Sequence, residues 1–276
     1  MTWDKTALFC DLDGTLFNSQ GVVSPENRAA LEEYMAGGGL FAVSTGREPG
    51  NALTFLGDLP MNAPAVATNG AAVYDFAAGE YLHCWFMDRA PLLAFLTSLQ
   101  AEFPEMELQV YTPSGICYCT PEERVHPQLL ALHRPCRFTT LEALRDSDIF
   151  KCFLYAPARF EETLTRRLLA AESAGLCRHV PGTTDVGGPI TYHELLPLDV
   201  SKGSAIRFLR TLPVMRGRTI LAAGDFWNDY ELLEEADEPI APANAIPEIK
   251  AICRHVTVSN NEHIIPHILR DIIPKL

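Results

Sequence analysis

The chain has 276 residues, 47% of them hydrophobic and 21% charged, a composition typical of a globular protein with one large domain or two smaller ones. Acidic side chains outnumber basic ones by 35 to 22, and the net charge of −13 argues against nucleic acid and anionic membranes as partners, because clustered lysine and arginine bind phosphate groups. Acidic residues come too early for a signal peptide, and no uncharged apolar run could span a bilayer, so we expect a cytoplasmic protein.

The first part of the chain alternates apolar runs with helical patterns. Ser24 is a candidate N-cap and Pro25 a candidate first residue of the first helix. Continuous apolar strands separated by helices indicate a parallel sheet covered on both faces. The predicted segments are the strand TALFCDLDG (6–14), the helix SPENRAALEEYMAGGG (24–39), the strand LFAVSTG (40–46), the helix REPGNALTFLGDL (47–59) and the strand PAVATNGA (64–71).

The pattern changes after residue 83 and favours an antiparallel α+β unit inserted into the first domain. We place the inserted unit at 84–190 and the surrounding core at 1–83 and 191–276. The predicted segments of the insert are the helix PLLAFLTSLQAEF (91–103), two strands in ELQVYTPSGICYCT (107–120), the strand KCFLYAP (151–157), the helix ARFEETLTRRLLAAESAG (158–175), and strands in LCRHVPG (176–182) and ITYHELLP (190–197).

The last part of the chain again alternates apolar strands with helical patterns, and Asp199 or Ser201 is the candidate cap of its first helix. Pro266 marks a bend or a late start in the closing helix. The fold class is therefore α/β, a doubly wound parallel sheet with an inserted unit. The segments are SKGSAIRFLRTL (201–212, helix), RTILAAGD (218–225, strand), WNDYELLEEA (227–236, helix), EPIAPA (238–243, strand), NAIPEIKAIC (244–253, helix), HVTVS (255–259, strand) and NNEHIIPHILRDII (260–273, helix).

Polar residues follow four of the predicted strands. They are Asp11-Leu12-Asp13-Gly14-Thr15, Ser44-Thr45-Gly46-Arg47, Asn69-Gly70 and Gly224-Asp225-Phe226-Trp227-Asn228-Asp229. In a parallel sheet the carboxyl ends of the strands line one crevice, so we expect these residues to converge. Any one of them alone would read as an ordinary turn.

A lysine adds a positive charge to this set of carboxylates. Lys202 lies in the first turn of a predicted helix, where the free N–H groups and the helix dipole favour an anion. Carboxylates without histidine spacing favour Mg²⁺. Asp11 could attack phosphorus as a nucleophile while Asp13, two residues along, acts as general acid and base. Lys202 and Thr45 would then bind the transferring phosphoryl group.

The eight cysteines form no C-x-x-C pair and accompany no paired histidine spacing. Several lie inside apolar segments, where a free cysteine behaves as a small hydrophobic side chain. We therefore expect structural thiols rather than a metal or redox site.

The complete motif set resembles that of the haloacid dehalogenase superfamily, in its Cof-type (class IIB) branch. The set consists of D-x-D-G-T after a strand, Thr-Gly-Arg, Asn-Gly-Ala, S-K-G at the start of a helix, and G-D-x-x-N-D. The resemblance implies a Rossmann-like core with a mobile cap inserted between the second and third motifs. It implies a phosphatase that uses Mg²⁺ and an aspartyl-phosphate intermediate.

Residue by residue, the resemblance implies Asp11 as the nucleophile and Asp13 as the acid/base. Thr45, with Gly46 beside it, and Lys202 would bind phosphate. Metal ligands would be Asp11, the backbone carbonyl of Asp13 and Asp225, with Asp229 and Asn228 in support. Contacts on the substrate side would come from Arg47, Asn69 and Asn244.

The chain departs from the branch at two places. Pro242-Ala243 replaces the Met-Gly of a Met-Gly-Asn-Ala sequence, and His263 stands where aspartate is usual. Three functions stay open: a phosphatase of a small phosphorylated metabolite, a phosphomutase or phosphotransferase of hexose phosphates, and a phospho-ligand-binding regulator. The identity of the substrate stays open too, as does the choice between monomer and homodimer.

Overall fold

The computed structural model describes residues 2–184 and 190–276. Its strands are β1 (Thr6–Cys10), β2 (Leu40–Val43), β3 (Ala65–Ala67), β4 (Ala72–Asp75), β5 (Glu80–Cys84), β6 (Glu107–Thr112), β7 (Gly115–Tyr118), β8 (Cys136–Phe138), β9 (Lys151–Pro157), β10 (Arg178–Thr184), β11 (Ile190–Leu196), β12 (Thr219–Ala223), β13 (Glu238–Ala241) and β14 (His255–Val256). Its α-helices are α1 (Pro25–Ala36), α2 (Pro49–Leu56), α3 (Arg89–Glu102), α4 (Pro127–Leu132), α5 (Glu161–Ser173), α6 (Lys202–Arg210), α7 (Tyr230–Glu235), α8 (Pro247–Ile252) and α9 (Ile264–His267). None of the helices in the described ranges is long and apolar enough to cross a bilayer.

The chain forms two compact units. The first combines Met1–His83 with Ser201–Leu276, and the second is Cys84–Val200. The sequence placed the return to the first unit at residue 191, but β11 begins at Ile190 and pairs with both β9 and β10. The second unit therefore continues to Val200.

The first unit is built on a parallel five-stranded sheet in the order β14-β13-β12-β1-β2. β1 lies between β12 and β2, and every residue of β1 is fully buried. This central, two-sided burial explains why TALFC contains a continuous apolar run rather than an alternating pattern. A parallel bridge from Ser44 to Val66 brings in β3, which continues into the antiparallel sheet β3-β4-β5. β4 and β5 were not among the predicted strands.

Two helices of the first unit begin at residues that the sequence proposed as caps. The hydroxyl of Ser24 accepts the backbone N–H of Asn27, with Pro25 in the first helical position of α1. At α6 the cap is Ser201, whose hydroxyl oxygen accepts the backbone N–H of Ser204. The hydroxyl oxygen of Ser204 in turn accepts the backbone N–H of Ser201. This capping box fixes where α6 begins, and hence where Lys202 lies.

Two C-terminal helices begin later than predicted. The carboxylate of Asp229 accepts backbone N–H groups at the end of β12, so residues 227–229 form a 3₁₀ turn and α7 begins at Tyr230. His263 has φ of 62°, a left-handed conformation that ends the preceding turn, and its Nδ1 lies 2.9 Å from the Ser24 hydroxyl. Helix α9 therefore begins at Ile264, and Pro266 marks a late start.

The second unit contains a six-stranded sheet in the order β10-β11-β9-β6-β7-β8. Its strand pairs are antiparallel except β7 and β8, which are parallel, and β8 was not predicted from the sequence. Helices α3 and α5 contribute leucines to a core shared with β6 and β9. The cysteines are free thiols, and several of them lie in this core.

Two histidines of the second unit form a buried pair on β10 and β11. His179 Nε2 lies 2.9 Å from His193 Nδ1. Burial and the charge of its neighbour lower the pKa of His179 to about 4. Burial also lowers the pKa of His193.

Candidate active site

The first candidate residue, Asp11, follows the central strand β1 directly. Its side chain is buried, and the backbone after it turns through Gly14, where φ is 83°. A β-carbon at this position would lie 2.4 Å from an Asp225 oxygen. Both the left-handed backbone and this close approach require glycine, so the turn packs directly against the Asp225 carboxylate.

Lys202 places a buried ammonium between two carboxylates. Its Nζ lies 2.5 Å from Asp11 Oδ1 and 2.6 Å from Asp229 Oδ1, and the lysine is fully buried. Burial alone would lower the pKa of Lys202, but the two carboxylates outweigh it and raise that pKa. The lysine is therefore held as a cation at the carboxyl end of β1.

The approach of the Asn69 turn to α6 is equally close. A β-carbon on Gly70 would lie 2.0 Å from the Ser201 carbonyl oxygen, and φ at Gly70 is 95°. The Asn69-Gly70 turn that the sequence singled out thus packs against the first residues of the Lys202 helix. Glycine is required there because the two backbones meet.

Asp225 follows β12, the strand beside β1. The Thr15 hydroxyl donates to Asp225 Oδ1 at 2.8 Å, a contact that the sequence analysis did not single out. Burial and the charge of Asp229 raise the pKa of Asp225 to about 6, against the effect of the Thr15 bond. Burial and Asp229 also raise the pKa of Asp11 well above its ordinary value. Mutual repulsion of this kind is relieved when a cation binds.

Three carboxylates come close enough to share a metal ion. One oxygen from each of Asp11, Asp225 and Asp229 lies within 4.8 Å of the others. The donor set fits Mg²⁺, which prefers oxygen ligands. Asp229 already binds Lys202 through Oδ1 and the backbone N–H groups of residues 225 and 226 through Oδ2. Asp11 and Asp225 are therefore the carboxylates best suited to bind the ion directly.

The side chain of Asp13 lies outside this group. It pairs with Arg47, whose Nε and Nη2 donate to the two carboxylate oxygens at 3.0 and 2.8 Å. The guanidinium also lies over the Phe55 ring, 3.9 Å from its centre. The Asp13 side chain is 60% exposed.

The Thr-Gly-Arg turn is tied to the Asn69 turn. The backbone N–H of Asn69 donates to the Thr45 carbonyl at 3.0 Å, and a β-carbon on Gly46 would lie 2.8 Å from Asn69 Oδ1. The Asn228 amide donates to the same Oδ1 at 3.4 Å. Four candidate residues from three strand ends therefore form one connected group.

Asn244, which the sequence assigns to the substrate side, contacts the turn that follows β1. Its Nδ2 donates to the Gly14 carbonyl at 2.7 Å. Two further asparagines that the sequence did not single out, Asn27 and Asn260, donate to other carbonyls of the same turn. No short sequence pattern marks them, because their partners are distant in the chain.

All of these site residues belong to the first unit. Residues 8–269 of the chain match the family described as haloacid dehalogenase-like hydrolase. The chain is 28% identical to the phosphatase YwpJ of Bacillus subtilis, over 95% of this chain and 98% of the relative. It is 28% identical to the 5-amino-6-(5-phospho-D-ribitylamino)uracil phosphatase YwtE of the same organism, over 92% and 93% of the two chains.

The solved structure of the subclass IIB sugar phosphatase BT4131 has the same fold, with a TM-score of 0.77 over 96% of this chain and 98% of that one, at 19% identity. The family match spans both segments of the first unit and the whole unit between them. The chain therefore belongs to the haloacid dehalogenase-like hydrolases.

Proposed function

We propose that this protein is a Mg²⁺-dependent phosphatase that hydrolyses a small phosphomonoester through an aspartyl-phosphate intermediate. The observation that carries the proposal is Lys202, buried and bound at once to Asp11 and Asp229, beside Asp225. The phosphatase names of the relatives support the same reaction class. Bound Mg²⁺ would supply charge neutralisation for the phosphate oxygens.

The reaction divides between two aspartates. Asp11 attacks phosphorus, and the bond from phosphorus to the leaving oxygen breaks while Asp13 gives that oxygen a proton. Asp13 then takes a proton from water, whose oxygen attacks phosphorus and releases inorganic phosphate from Asp11. Lys202 and Thr45 bind the phosphoryl oxygens, so that the positive charge already beside Asp11 stabilises the transition state.

The pairing of Asp13 with Arg47 supports the orientation of its carboxylate in this scheme. A guanidinium that binds both oxygens holds the carboxylate in one orientation. The exposed fraction of the Asp13 side chain lets protons reach it from solvent. We further propose that the first unit carries out the chemistry, and that residues 84–200 form the cap that selects the leaving group.

The test is release of inorganic phosphate from a panel of sugar phosphates, nucleotides and p-nitrophenyl phosphate, with Mg²⁺ or with EDTA. We expect release that needs Mg²⁺ and that Asp11→Asn abolishes. Asp58→Asn is the matched control, because the Asp58 side chain is 95% exposed. Full turnover by Asp11→Asn would exclude the nucleophile assignment, and no release from any substrate by the unaltered protein would exclude the phosphatase.

A further inference from the structure

Several backbone carbonyls of the turn that carries Asp13 accept hydrogen bonds from side chains. Inside the turn, the N–H of Leu16 donates to the Asp11 carbonyl and that of Phe17 to the Leu12 carbonyl. The backbone between them is irregular, since φ and ψ are −76° and 116° at Asp13 and φ is 83° at Gly14. The turn is therefore not held by a regular helical ladder.

Three asparagines donate to three of the remaining carbonyls. Asn244 Nδ2 lies 2.7 Å from the Gly14 oxygen. Asn27 Nδ2 lies 3.4 Å from the Leu16 oxygen, and Asn260 Nδ2 lies 2.9 Å from the Phe17 oxygen. The three amides come from α1, from the segment before α8 and from the segment before α9, so they reach the turn from separate parts of the sequence.

The asparagines are themselves fixed by backbone groups. Asn244 Oδ1 accepts the N–H of Asn260 at 2.9 Å, and Asn27 Oδ1 accepts the N–H of Ile265 at 3.1 Å. Asn27 is 1% exposed and Asn260 is 9% exposed. The amide oxygens of Asn244 and Asn27 are therefore held by backbone N–H groups, which leaves the NH₂ groups of these two residues aimed at the turn.

We infer that Asn244, Asn260 and Asn27 are positioning residues that fix the Asp11–Phe17 turn, so that Asp13 keeps its place relative to Asp11. The inference rests on the proposed function for its kinetic consequence, although the contacts themselves are independent of it. None of the three need touch substrate. Their effect is on kcat, because catalytic groups must be held close to the productive geometry.

Asn244→Asp is the sharpest variant. It keeps the shape and the oxygen that accepts the Asn260 N–H, but it replaces the donor to Gly14 with a carboxylate oxygen that repels the Gly14 carbonyl and adds a negative charge. The control variant below adds the same charge. Asn62→Asp is the matched control, because the Asn62 side chain also bridges backbone, donating to the Gly39 oxygen at 2.9 Å and accepting the Phe41 N–H at 2.8 Å. Asn62 lies beside the amino end of β2, away from the turn.

With p-nitrophenyl phosphate and Mg²⁺, we expect Asn244→Asp to lower kcat by about 10- to 100-fold with little change in KM. Hydrogen exchange of the Leu16 and Phe17 amides should become faster in the same variant. Asn62→Asp should leave both quantities as they are in the unaltered protein, even if it lowers Tm by a similar amount. A buried second variant, Asn260→Ala, should repeat the pattern.

Two results would overturn the inference. One is a kcat within two-fold of the unaltered protein together with unchanged exchange at the turn. The other is a rise in KM at constant kcat, which would make Asn244 a substrate contact. If the unaltered protein hydrolyses no phosphomonoester, the proposed function fails, and the exchange measurement alone decides: faster exchange at the turn supports the positioning role and unchanged exchange refutes it.

Discussion

Replacing Lys202 with methionine should destabilise the protein in the absence of metal. The methionine would fill nearly the same volume, but the carboxylates of Asp11 and Asp229 would lose their common cation while remaining buried. Removing one partner of a buried ion pair typically costs about 3–5 kcal/mol, because the remaining charge stays uncompensated. Here two carboxylates are left, with Asp225 close by.

The assay is thermal and urea unfolding in EDTA. A loss of 3–5 kcal/mol corresponds to a fall in Tm of about 6–20 °C for a unit of this size. Lys275→Met is the control, since Lys275 is exposed and we expect it to change the unfolding free energy by less than about 0.5 kcal/mol. Added Mg²⁺ should restore part of the stability of Lys202→Met, because a bound cation replaces the missing charge.

The charge argument can be separated from packing with a double variant. Adding Asp229→Asn to Lys202→Met removes one of the two uncompensated charges, so the double variant should be more stable than Lys202→Met alone. If the two losses simply add, or if Lys202→Met loses less than about 1 kcal/mol in EDTA, the reasoning from buried charge is wrong.

Three further predictions concern single side chains. Gly14→Ala should lower phosphate release at least 10-fold, because a β-carbon would displace Asp225, whereas Gly21→Ala, which also has positive φ but open space around it, should not. The Thr15 hydroxyl lowers the pKa of Asp225, so Thr15→Val should raise the pH at which half of the Mg²⁺ binding is lost, as measured by calorimetry. Thr15→Ser keeps the hydroxyl and should leave that pH unchanged. The unfolding free energy of the protein should fall as the pH drops from about 6.5 through about 4, because in this range His179 binds a proton in the unfolded state but not in the folded state. The same pH dependence in a His179→Phe variant would contradict this prediction.

Much of the site could be predicted because its residues follow strands. Asp11 and Asp225 end neighbouring parallel strands, and the carboxyl ends of such strands meet at one edge, so a pattern of apolar runs was enough to bring them together. Lys202 could be predicted in the same way, since its helix begins at a recognisable serine cap. At these positions the local sequence signals and the geometry of a parallel sheet predict the same arrangement.

Contacts between distant side chains could not be predicted from the sequence. Arg47 reaches Asp13, and Asn244 reaches Gly14, only because of how the folded backbone brings separate turns together. The late start of α9 has a similar origin, since His263 takes a left-handed conformation beside the Ser24 hydroxyl of another helix. The missed strand β8 is only three residues long, Cys136–Phe138, too short for its alternation of apolar and polar residues to predict a strand.

The position of β1 between β2 and β12 also sets the order in which the protein can fold during synthesis. The second unit is one continuous stretch, Cys84–Val200, and its strands pair only with one another. β1 can pair with β12 only after the ribosome has synthesised that whole stretch. At typical elongation rates this synthesis takes on the order of 10 seconds. Until then one edge of this buried strand is unpaired, and an insert that folds early would shorten the loop that β1 and β12 have to close.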